Sequence, residues 1–409
     1  MFVKEYIYYY VLNRIQTNKK IMLANKIIVV GGNHPNTLGL IRSIGEKGLP
    51  VYLMLEPCST LDYCNLRFSK YITKMYMLKS EEEILTILHT DFKNENEKPV
   101  ILCGSDASIS LLDSHYNELK EFFCFFNAGE QGRINHFMDK INMFPLAAKC
   151  GLNVIKTWHI KDKTRIPDDI TFPCLTKPNN SLGGDKEDIH ICYNKDELET
   201  CLRDNVDYLI QEYIEKEYEL DINGFAYNHG RDVVLPAAVR KIRDKSYRQS
   251  DYIVLEDISN HPQVDKDAIC KFVSSIGFEG LFSVELLCKK DKAYFLEINM
   301  RNDGVGYLYT KTGANHPYLW ALYSTGNLTE SIINNVRCKT PTYLMQQADF
   351  SNVLHHELSF TKWLRDLFRT RAFFVLNIRD PKPFLFTLLV NFRILLEKLH
   401  LKKKYHHEK

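Results

Sequence analysis

The sequence of 409 residues has no apolar run of about 20 residues, the length that a membrane-spanning helix needs. The start also lacks the apolar stretch of a signal peptide, because Lys4, Glu5 and Arg14 interrupt it. The 11 cysteines include no C-x-x-C pair and no zinc-type spacing with histidine, which indicates reduced thiols in a cytoplasmic protein. The net charge of +2 argues against a dedicated nucleic-acid-binding protein, so no nucleic acid partner is expected.

A dinucleotide-binding fingerprint is missing as well. Residues 26–30 form a buried-strand run that is followed by a helix and a second strand, and this βαβ opening predicts a parallel sheet. Glu56 ends the second strand, where the ribose-binding acid of an NAD protein would lie. However, Gly31, Gly32 and Gly39 do not have the G-x-G-x-x-G spacing, so an NAD-dependent dehydrogenase is disfavoured.

A polar hairpin is the feature around which the other motifs are arranged. In residues 282–301, apolar and β-branched residues alternate on either side of a polar turn, which is typical of two paired strands. Because side chains two positions apart share a face of a strand, Glu297, Asn299 and Arg301 project together, and Glu285 joins them from the partner strand. Such oxygen ligands suit Mg²⁺ beside substrate phosphates, with the arginine stabilising charge. The alternative is an exposed hairpin face with ordinary polar residues.

Three stretches that precede the hairpin carry further candidate residues. Lys140 follows Asp139 at the start of a helix that Gly151 closes. Lys177 ends a short strand and leads into residues 179–186, a glycine-containing turn whose backbone N–H groups suit a triphosphate. Residues 208–214 form a strand that leads into an acidic segment. Taken alone, the helix-start lysine is a solvated side chain and the glycine turn is a plain hairpin turn.

In this order, the motifs resemble those of the ATP-grasp superfamily, which includes D-alanine–D-alanine ligase and the carbamoyl-phosphate synthase large subunit. The resemblance covers roughly residues 25–325. It implies an α/β (α+β ATP-grasp) protein in which a Rossmann-like domain precedes a two-subdomain ATP-grasp fold with a helical C-terminal extension. The expected segments are an N-terminal extension at 1–21, a Rossmann-like domain at 22–130, a central subdomain with a lid loop at 131–206, a metal-binding subdomain at 207–330 and the extension at 331–409.

The resemblance also assigns roles to residues. It implies that Glu285, Glu297 and Asn299 bind two Mg²⁺ ions, for which Mn²⁺ can substitute. It also implies catalytic roles for Arg301 and Lys177. The ATP-binding residues that it implies are Lys140, Lys177, Ser181, Gly183, Gly184, Glu212, Tyr213, Ile214 and Glu219. In this assignment the backbone at Glu212 and Ile214 binds adenine. Glu219 binds the ribose hydroxyls, with Glu217 as the alternative.

The function that the resemblance implies is an ATP- and Mg²⁺-dependent, ADP-forming ligase. It joins a small-molecule carboxylate to an amine through an acyl phosphate. The alternatives are an ATP-grasp kinase or carboxylating enzyme, and a non-catalytic ATP-binding regulatory protein. The absence of a Ser-His or Cys-His constellation is consistent with a ligase, because no covalent enzyme nucleophile is required.

Several other segments keep two interpretations. Residues 31–36 and Asp106 either contact the substrate or have structural turn roles. The basic cluster at residues 239–243 either faces the phosphates or the acceptor or is solvated. The apolar C-terminal helix, which ends in Lys402–Lys404, either packs on the body of the protein or lies weakly on an anionic membrane surface at the cytoplasmic side. A homodimer is a further expectation.

Overall fold

The computed structural model describes residues 23–57, 64–161, 165–178, 189–204, 206–244 and 250–407. The predicted N-terminal extension at 1–21 lies outside these ranges, as do Ser181, Gly183 and Gly184 of the predicted lid loop. The strands, numbered in chain order, are β1 (Ile27–Gly31), β2 (Val51–Leu55), β3 (Ile72–Met77), β4 (Val100–Cys103), β5 (Asn153–Val154), β6 (Thr157–Ile160), β7 (Cys174–Pro178), β8 (His190–Cys192), β9 (Tyr208–Glu212), β10 (Tyr218–Tyr227), β11 (Asp232–Val234), β12 (Ala238–Asp244), β13 (Ser250–Glu256), β14 (Gly280–Lys289), β15 (Lys292–Asn299), β16 (Thr342–Met345) and β17 (Thr370–Phe373).

The helices alternate with the strands in the first third of the chain and dominate the last sixty residues. They are α1 (Pro35–Gly45), α2 (Glu83–Ile87), α3 (Asp106–Ser114), α4 (Tyr116–Leu119), α5 (Arg133–Met138), α6 (Lys140–Cys150), α7 (Lys195–Cys201), α8 (Lys266–Ile276), α9 (Gly306–Thr312), α10 (His316–Ser324), α11 (Glu330–Asn334), α12 (Phe350–Leu354), α13 (Phe360–Arg369) and α14 (Lys382–His407). Within the described ranges, no helix is both long and apolar enough to cross a membrane.

The first sheet is parallel, as the βαβ opening predicts. Its strand order is β3-β2-β1-β4. Every residue of β1 is buried, which explains why its sequence is a continuous apolar run instead of an alternating one. Gly31 ends β1 next to α1, where a Cβ atom would lie 2.4 Å from Thr37 Oγ1. This glycine therefore serves close packing between the strand and the helix.

The second sheet is small and antiparallel, with the order β6-β9-β7-β8 and an apolar core of its own. β9 pairs with both β6 and β7 in this sheet. The predicted boundary between the two ATP-grasp subdomains, between residues 206 and 207, lies before β9. The chain passes from the second sheet to the third only after β9. A strand boundary read from sequence does not reveal with which sheet the strand pairs, and this accounts for the difference.

The third sheet has nine strands in the order β17-β16-β13-β12-β10-β14-β15-β5, with β11 paired to β10. The predicted hairpin is confirmed as β14 and β15, whose connecting Lys290 has a positive φ of 53°. The C-terminal extension is mostly helical but is not a separate appendage. It adds β16 to β13 and β17 to β16, because this edge of the sheet offers unpaired backbone groups.

Candidate functional site

The large sheet brings polar residues from three neighbouring strands onto one face. Asp221 on β10 is in register with Glu285 on β14, and Glu285 is in register with Glu297 on β15. Asn299 lies opposite Ser283, two positions along the same strands. Because side chains alternate between the faces of a strand, all of these residues point to the same side of the sheet. The hairpin thus brings together the three predicted metal ligands.

The three predicted ligands form an oxygen-rich set of the kind that Mg²⁺ uses. Asn299 Nδ2 donates a hydrogen bond of 3.2 Å to Glu285 Oε1. Burial, and then the neighbouring Glu297 carboxylate, raise the pKa of Glu285 to about 7. No cluster of three or more His, Cys, Asp or Glu side chains suited to a metal occurs in the described ranges. Two carboxylates and an amide oxygen nevertheless fit Mg²⁺, which completes its shell with waters and substrate phosphates.

Two lysines from separate elements converge on Glu297. Lys140 Nζ lies 2.9 Å from Glu297 Oε2, and Lys177 Nζ lies 3.6 Å from the same oxygen. Burial opposes ionisation of Glu297, but the two ammonium groups outweigh it and lower its pKa to about 2. Burial lowers the pKa of Lys177 to about 8, with Glu297 opposing the shift and Lys140 adding to it. Two cations that share one carboxylate leave an excess of positive charge, which suits a polyphosphate.

A third lysine in the site, Lys241 on β12, belongs to the basic cluster that was expected either to face the phosphates or the acceptor or to be solvated. Its Nζ atom lies 2.7 Å from Glu219 Oε2, 3.8 Å from Asp221 Oδ2 and 3.9 Å from Glu285 Oε2. Burial disfavours its charge, but the three carboxylates outweigh burial and raise its pKa. Asp221 is a residue that the sequence analysis missed. The signal for it was its position two residues after Glu219, on the same face of one strand.

The other basic residues of the 239–243 cluster have structural partners. Arg240 Nε donates to Glu256 Oε1 at 2.6 Å. Arg243 binds two carboxylates of the C-terminal segment, with Nη2 at 2.7 Å from Asp349 and Nη1 at 2.6 Å from Asp366. Only Lys241 of this cluster therefore contacts the polar face of the hairpin.

The predicted adenine-binding segment follows β9. The backbone N–H of Glu212 donates to Lys156 O at 3.0 Å, and that of Tyr213 donates to Pro173 O at 3.1 Å. The N–H of Ile214 makes no hydrogen bond within the part of the chain that the structure describes. Of the three residues, Ile214 is the one whose N–H remains available to a ligand.

The two candidate ribose ligands differ in their surroundings. Glu219 lies on β10, contacts Lys216 as well as Lys241, and has a lowered pKa because these lysines outweigh its burial. Glu217 precedes β10 and is exposed. Its backbone N–H donates to Cys288 O at 2.8 Å, and its carboxylate forms no ion pair with the residues that the structure describes. Glu219 alone therefore belongs to the lysine–carboxylate cluster.

Arg301 follows β15 and contacts the first sheet. Its guanidinium forms two hydrogen bonds with Asp106, of 2.8 Å from Nε and 3.1 Å from Nη2. The next residue, Asn302, is 4% exposed and donates its side-chain amide to Asn36 O at 2.7 Å and its backbone N–H to Cys103 O at 3.2 Å. The carboxyl ends of β1 and β4 thus adjoin the end of the predicted metal-binding hairpin.

Comparison with known proteins agrees with this arrangement. Residues 204–344, which run from β9 into β16, match the family described as "ATP-grasp in the biosynthetic pathway with Ter operon". The fold as a whole is similar to the N5-carboxyaminoimidazole synthetase of Staphylococcus aureus, with a TM-score of 0.62 at 15% identity over 82% of this chain and 86% of that one. Residues 204–344 are therefore an ATP-grasp segment of the chain. The L-amino acid ligase of Bacillus licheniformis has a similar fold, with a TM-score of 0.59 at 14% identity over 78% of each chain.

The curated relatives of this chain are distant, and the chain spans well under two thirds of the length of the first of them. It is 27% identical over 154 residues to the formate-dependent phosphoribosylglycinamide formyltransferase of Wolinella succinogenes, covering 34% of this chain and 37% of that protein. It is 23% identical over 248 residues to the D-alanine–D-alanine ligase of Fervidobacterium nodosum, covering 56% and 75%. The match to the carbamoyl phosphate synthase large chain of Pseudomonas putida is 26% identical over 34% of this chain but spans only 14% of that protein.

Proposed function

We propose that this protein is an ATP- and Mg²⁺-dependent, ADP-forming ligase that joins a small-molecule carboxylate to an amine through an acyl phosphate. The observation that carries the proposal is the convergence of Lys140 and Lys177 on Glu297, which shares its face of the sheet with Glu285 and Asn299. Three elements far apart in sequence contribute these residues, so the cluster is not a by-product of one local motif.

Each group has a chemical task in this reaction. Lys140 and Lys177 neutralise the triphosphate, and Lys177 does so most effectively in its protonated form. The N–H of Ile214 binds adenine and Glu219 binds the ribose hydroxyls. Arg301 donates to the oxyanion that forms when the amine attacks the acyl phosphate. The protein mainly positions reactants and neutralises charge, and the glycine-containing loop at residues 179–186 is proposed to close over the phosphates.

Two Mg²⁺ ions are proposed to be held by Glu285, Glu297 and Asn299, with Mn²⁺ as a substitute. When bound, they supply charge neutralisation for the phosphates. The support for this is the donor set of two carboxylates and one amide oxygen, which suits hard cations. Counting the Mn²⁺ ions bound per protein in the presence of ADP, for the natural protein and for Glu297→Gln, tests the number.

The experiment that tests the function is phosphate release from Mg-ATP, with the purified protein incubated with pools of carboxylic acids and amines. We expect phosphate release to require one acid and one amine. The product should have the combined mass of that acid and that amine minus one water. Bicarbonate as the carbon source tests the carboxylating alternative. ATP binding without turnover on any pool favours the regulatory alternative, and no ATP binding contradicts the proposal.

Arg301→Ala is the functional control, because it is expected to retain ATP binding and lose phosphate release. Asp91→Ala is the matched structural control. Asp91 is an ion-paired carboxylate of the first domain, bonded to Lys74 at 3.2 Å in a solvent-exposed position. This variant is expected to behave as the natural protein does.

We further propose that the C-terminal helix α14 makes weak peripheral contact with an anionic membrane at the cytoplasmic side, and that the protein is a homodimer. The support is an exposed apolar stripe formed by Leu385, Leu388, Leu389 and Phe392, which are between 47% and 67% exposed. Light scattering measures the oligomeric state. Flotation with phosphatidylglycerol vesicles, compared between the natural protein and Leu389→Glu, measures the membrane contact.

A further inference from the structure

Asp106 lies outside the ATP-grasp hairpin, yet it forms the most extensive contact of Arg301. Asp106 is the first residue of α3, whose N-cap is Ser105, and it lies three residues after the end of the buried strand β4. Its two carboxylate oxygens accept from Arg301 Nε at 2.8 Å and from Arg301 Nη2 at 3.1 Å. Paired parallel bonds of this kind fix the plane of a guanidinium as well as its position.

The hydrogen-bond donors of Arg301 are almost fully occupied. A guanidinium has five N–H donors. Two of them bind Asp106, one on Nη2 binds Asn299 Oδ1 at 3.2 Å, and one on Nη1 binds Asn302 O at 3.3 Å. Among the described residues, one N–H of Nη1 therefore has no acceptor. Arg301 is held on three sides and presents a single donor.

The backbone of Arg301 is fixed by the same domain that supplies Asp106. The following residue, Asn302, donates to Cys103 O and to Asn36 O, and Asn36 Nδ2 in turn donates to Gly104 O at 3.2 Å. Both ends of the arginine side chain are thus anchored at the carboxyl edge of the first sheet. In open α/β sheets this edge is where ligands bind.

We propose that Asp106 is a positioning residue that orients the Arg301 guanidinium so that one Nη1 N–H points at the oxyanion of the reaction. This inference rests on the proposed ligase function. It predicts that Arg301 contributes one fixed donor to an oxyanion and does not form a two-bond clamp on a substrate carboxylate. A fixed donor needs no reorganisation when the negative charge develops.

A purely stabilising role for the Asp106–Arg301 pair is disfavoured by its exposure. The Asp106 side chain is 53% exposed and that of Arg301 is 14% exposed, so solvent around Asp106 screens what the pair contributes to stability. Removal of the Asp106 carboxylate is therefore expected to leave the melting temperature close to that of the natural protein. An effect on anion binding would then report orientation of Arg301 and not unfolding.

The test uses inorganic phosphate as a probe for the oxyanion, titrated into the protein saturated with Mg-ADP and followed by calorimetry. Asp106→Ala is expected to weaken phosphate binding by about tenfold or more, the effect of losing one well-aligned charged hydrogen bond. Mg-ADP affinity is expected to be unchanged. Asp106→Glu is expected to restore most of the phosphate affinity, and Asp91→Ala to leave it unaltered.

Two outcomes would overturn the proposal. Tighter phosphate binding in Asp106→Ala would mean that Asp106 competes with the anion. Equal phosphate binding in Asp106→Ala and the natural protein would mean that Asp106 does not orient Arg301.

A second measurement separates this inference from the proposed function. The NMR resonance of the Arg301 Nε–H, assigned by its loss in Arg301→Lys, reports how the guanidinium is held in the nucleotide-free protein. We expect this proton to exchange slowly with solvent in the natural protein and fast in Asp106→Ala. Equal exchange rates in both would overturn the positioning role even if Mg-ADP binds. Failure of Mg-ADP to bind would contradict the ligase function while this readout still decides the role of Asp106.

Discussion

Arg42 Nε lies 3.0 Å from Asp380 Oδ2, and both side chains are fully buried. The remaining lone pairs of Asp380 accept from Ser69 Oγ at 2.8 Å and from the backbone N–H of Lys70 at 2.9 Å. Arg42 Nη2 also donates to Val375 O at 2.8 Å. The pair joins α1 to a loop 338 residues later, with its charges paired and hydrogen-bonded.

Asp380→Ala is expected to destabilise the protein by about 3–5 kcal/mol, because it leaves the Arg42 guanidinium buried without a counter-charge. Urea unfolding followed by circular dichroism measures this change. Asp91→Ala removes an exposed ion-paired aspartate and is expected to cost less than about 1 kcal/mol. Equal losses in the two variants would show that the buried pair does not anchor the C-terminal segment.

The period-two pattern around a polar turn was sufficient to predict the hairpin, because strand alternation alone determines which residues share a face. Four of the polar residues that meet at the site, Glu285, Glu297, Asn299 and Arg301, follow from that one local rule. Asp221 and Lys241 do not, because their place in the site depends on which strands pair with β14 and on which side. Arg42 with Asp380 likewise depends on contacts between segments far apart in sequence, and no local pattern encodes those.

Lys241→Met is expected to lower the melting temperature of the metal-free protein. The substitution leaves Glu219, Asp221 and Glu285 without their shared ammonium group, at a cost of about 2–3 kcal/mol, less than that of breaking a fully buried pair. Mg²⁺ supplies positive charge beside Glu285, so its addition is expected to raise the melting temperature of the variant more than that of the natural protein. Thermal unfolding with and without Mg²⁺ measures this difference.

Lys74→Met is the matched control for Lys241→Met. Lys74 is an ion-paired lysine whose side chain is 54% exposed, and its loss is expected to change neither the melting temperature nor the response to Mg²⁺. If the two lysine variants respond to Mg²⁺ in the same way, Lys241 does not neutralise the carboxylate cluster.

The affinity for Mg²⁺ in the presence of ADP is expected to increase between pH 6 and pH 8. The pKa of Glu285 is raised to about 7, and this carboxyl group must lose its proton to bind a metal. Below that pKa the proton competes with the metal, so the apparent affinity falls by about tenfold at pH 6 relative to pH 8. Calorimetry at pH 6, 7 and 8 measures the trend.

Glu285→Gln serves as the control for that pH dependence. The amide has no proton to lose near pH 7, so this variant is expected to bind Mg²⁺ more weakly and with an affinity that rises less over this range than that of the natural protein. A natural protein whose Mg²⁺ affinity is flat from pH 6 to pH 8 would contradict the assignment of Glu285 as a ligand that titrates near neutrality.

Glu219 and Glu217 differ in what they are expected to do for nucleotide specificity. If Glu219 accepts hydrogen bonds from the ribose, the natural protein should bind ATP more tightly than 2′-deoxy-ATP by about tenfold, the value of a hydrogen bond to a charged group. Glu219→Ala should then bind both nucleotides with similar affinity, since the acceptor for the 2′-hydroxyl is gone. Glu217→Ala should keep the preference, because Glu217 is exposed and lies outside the lysine cluster. Fluorescence competition with a labelled ATP analogue measures all six affinities, and loss of the preference in Glu217→Ala alone would reassign the ribose contact to Glu217.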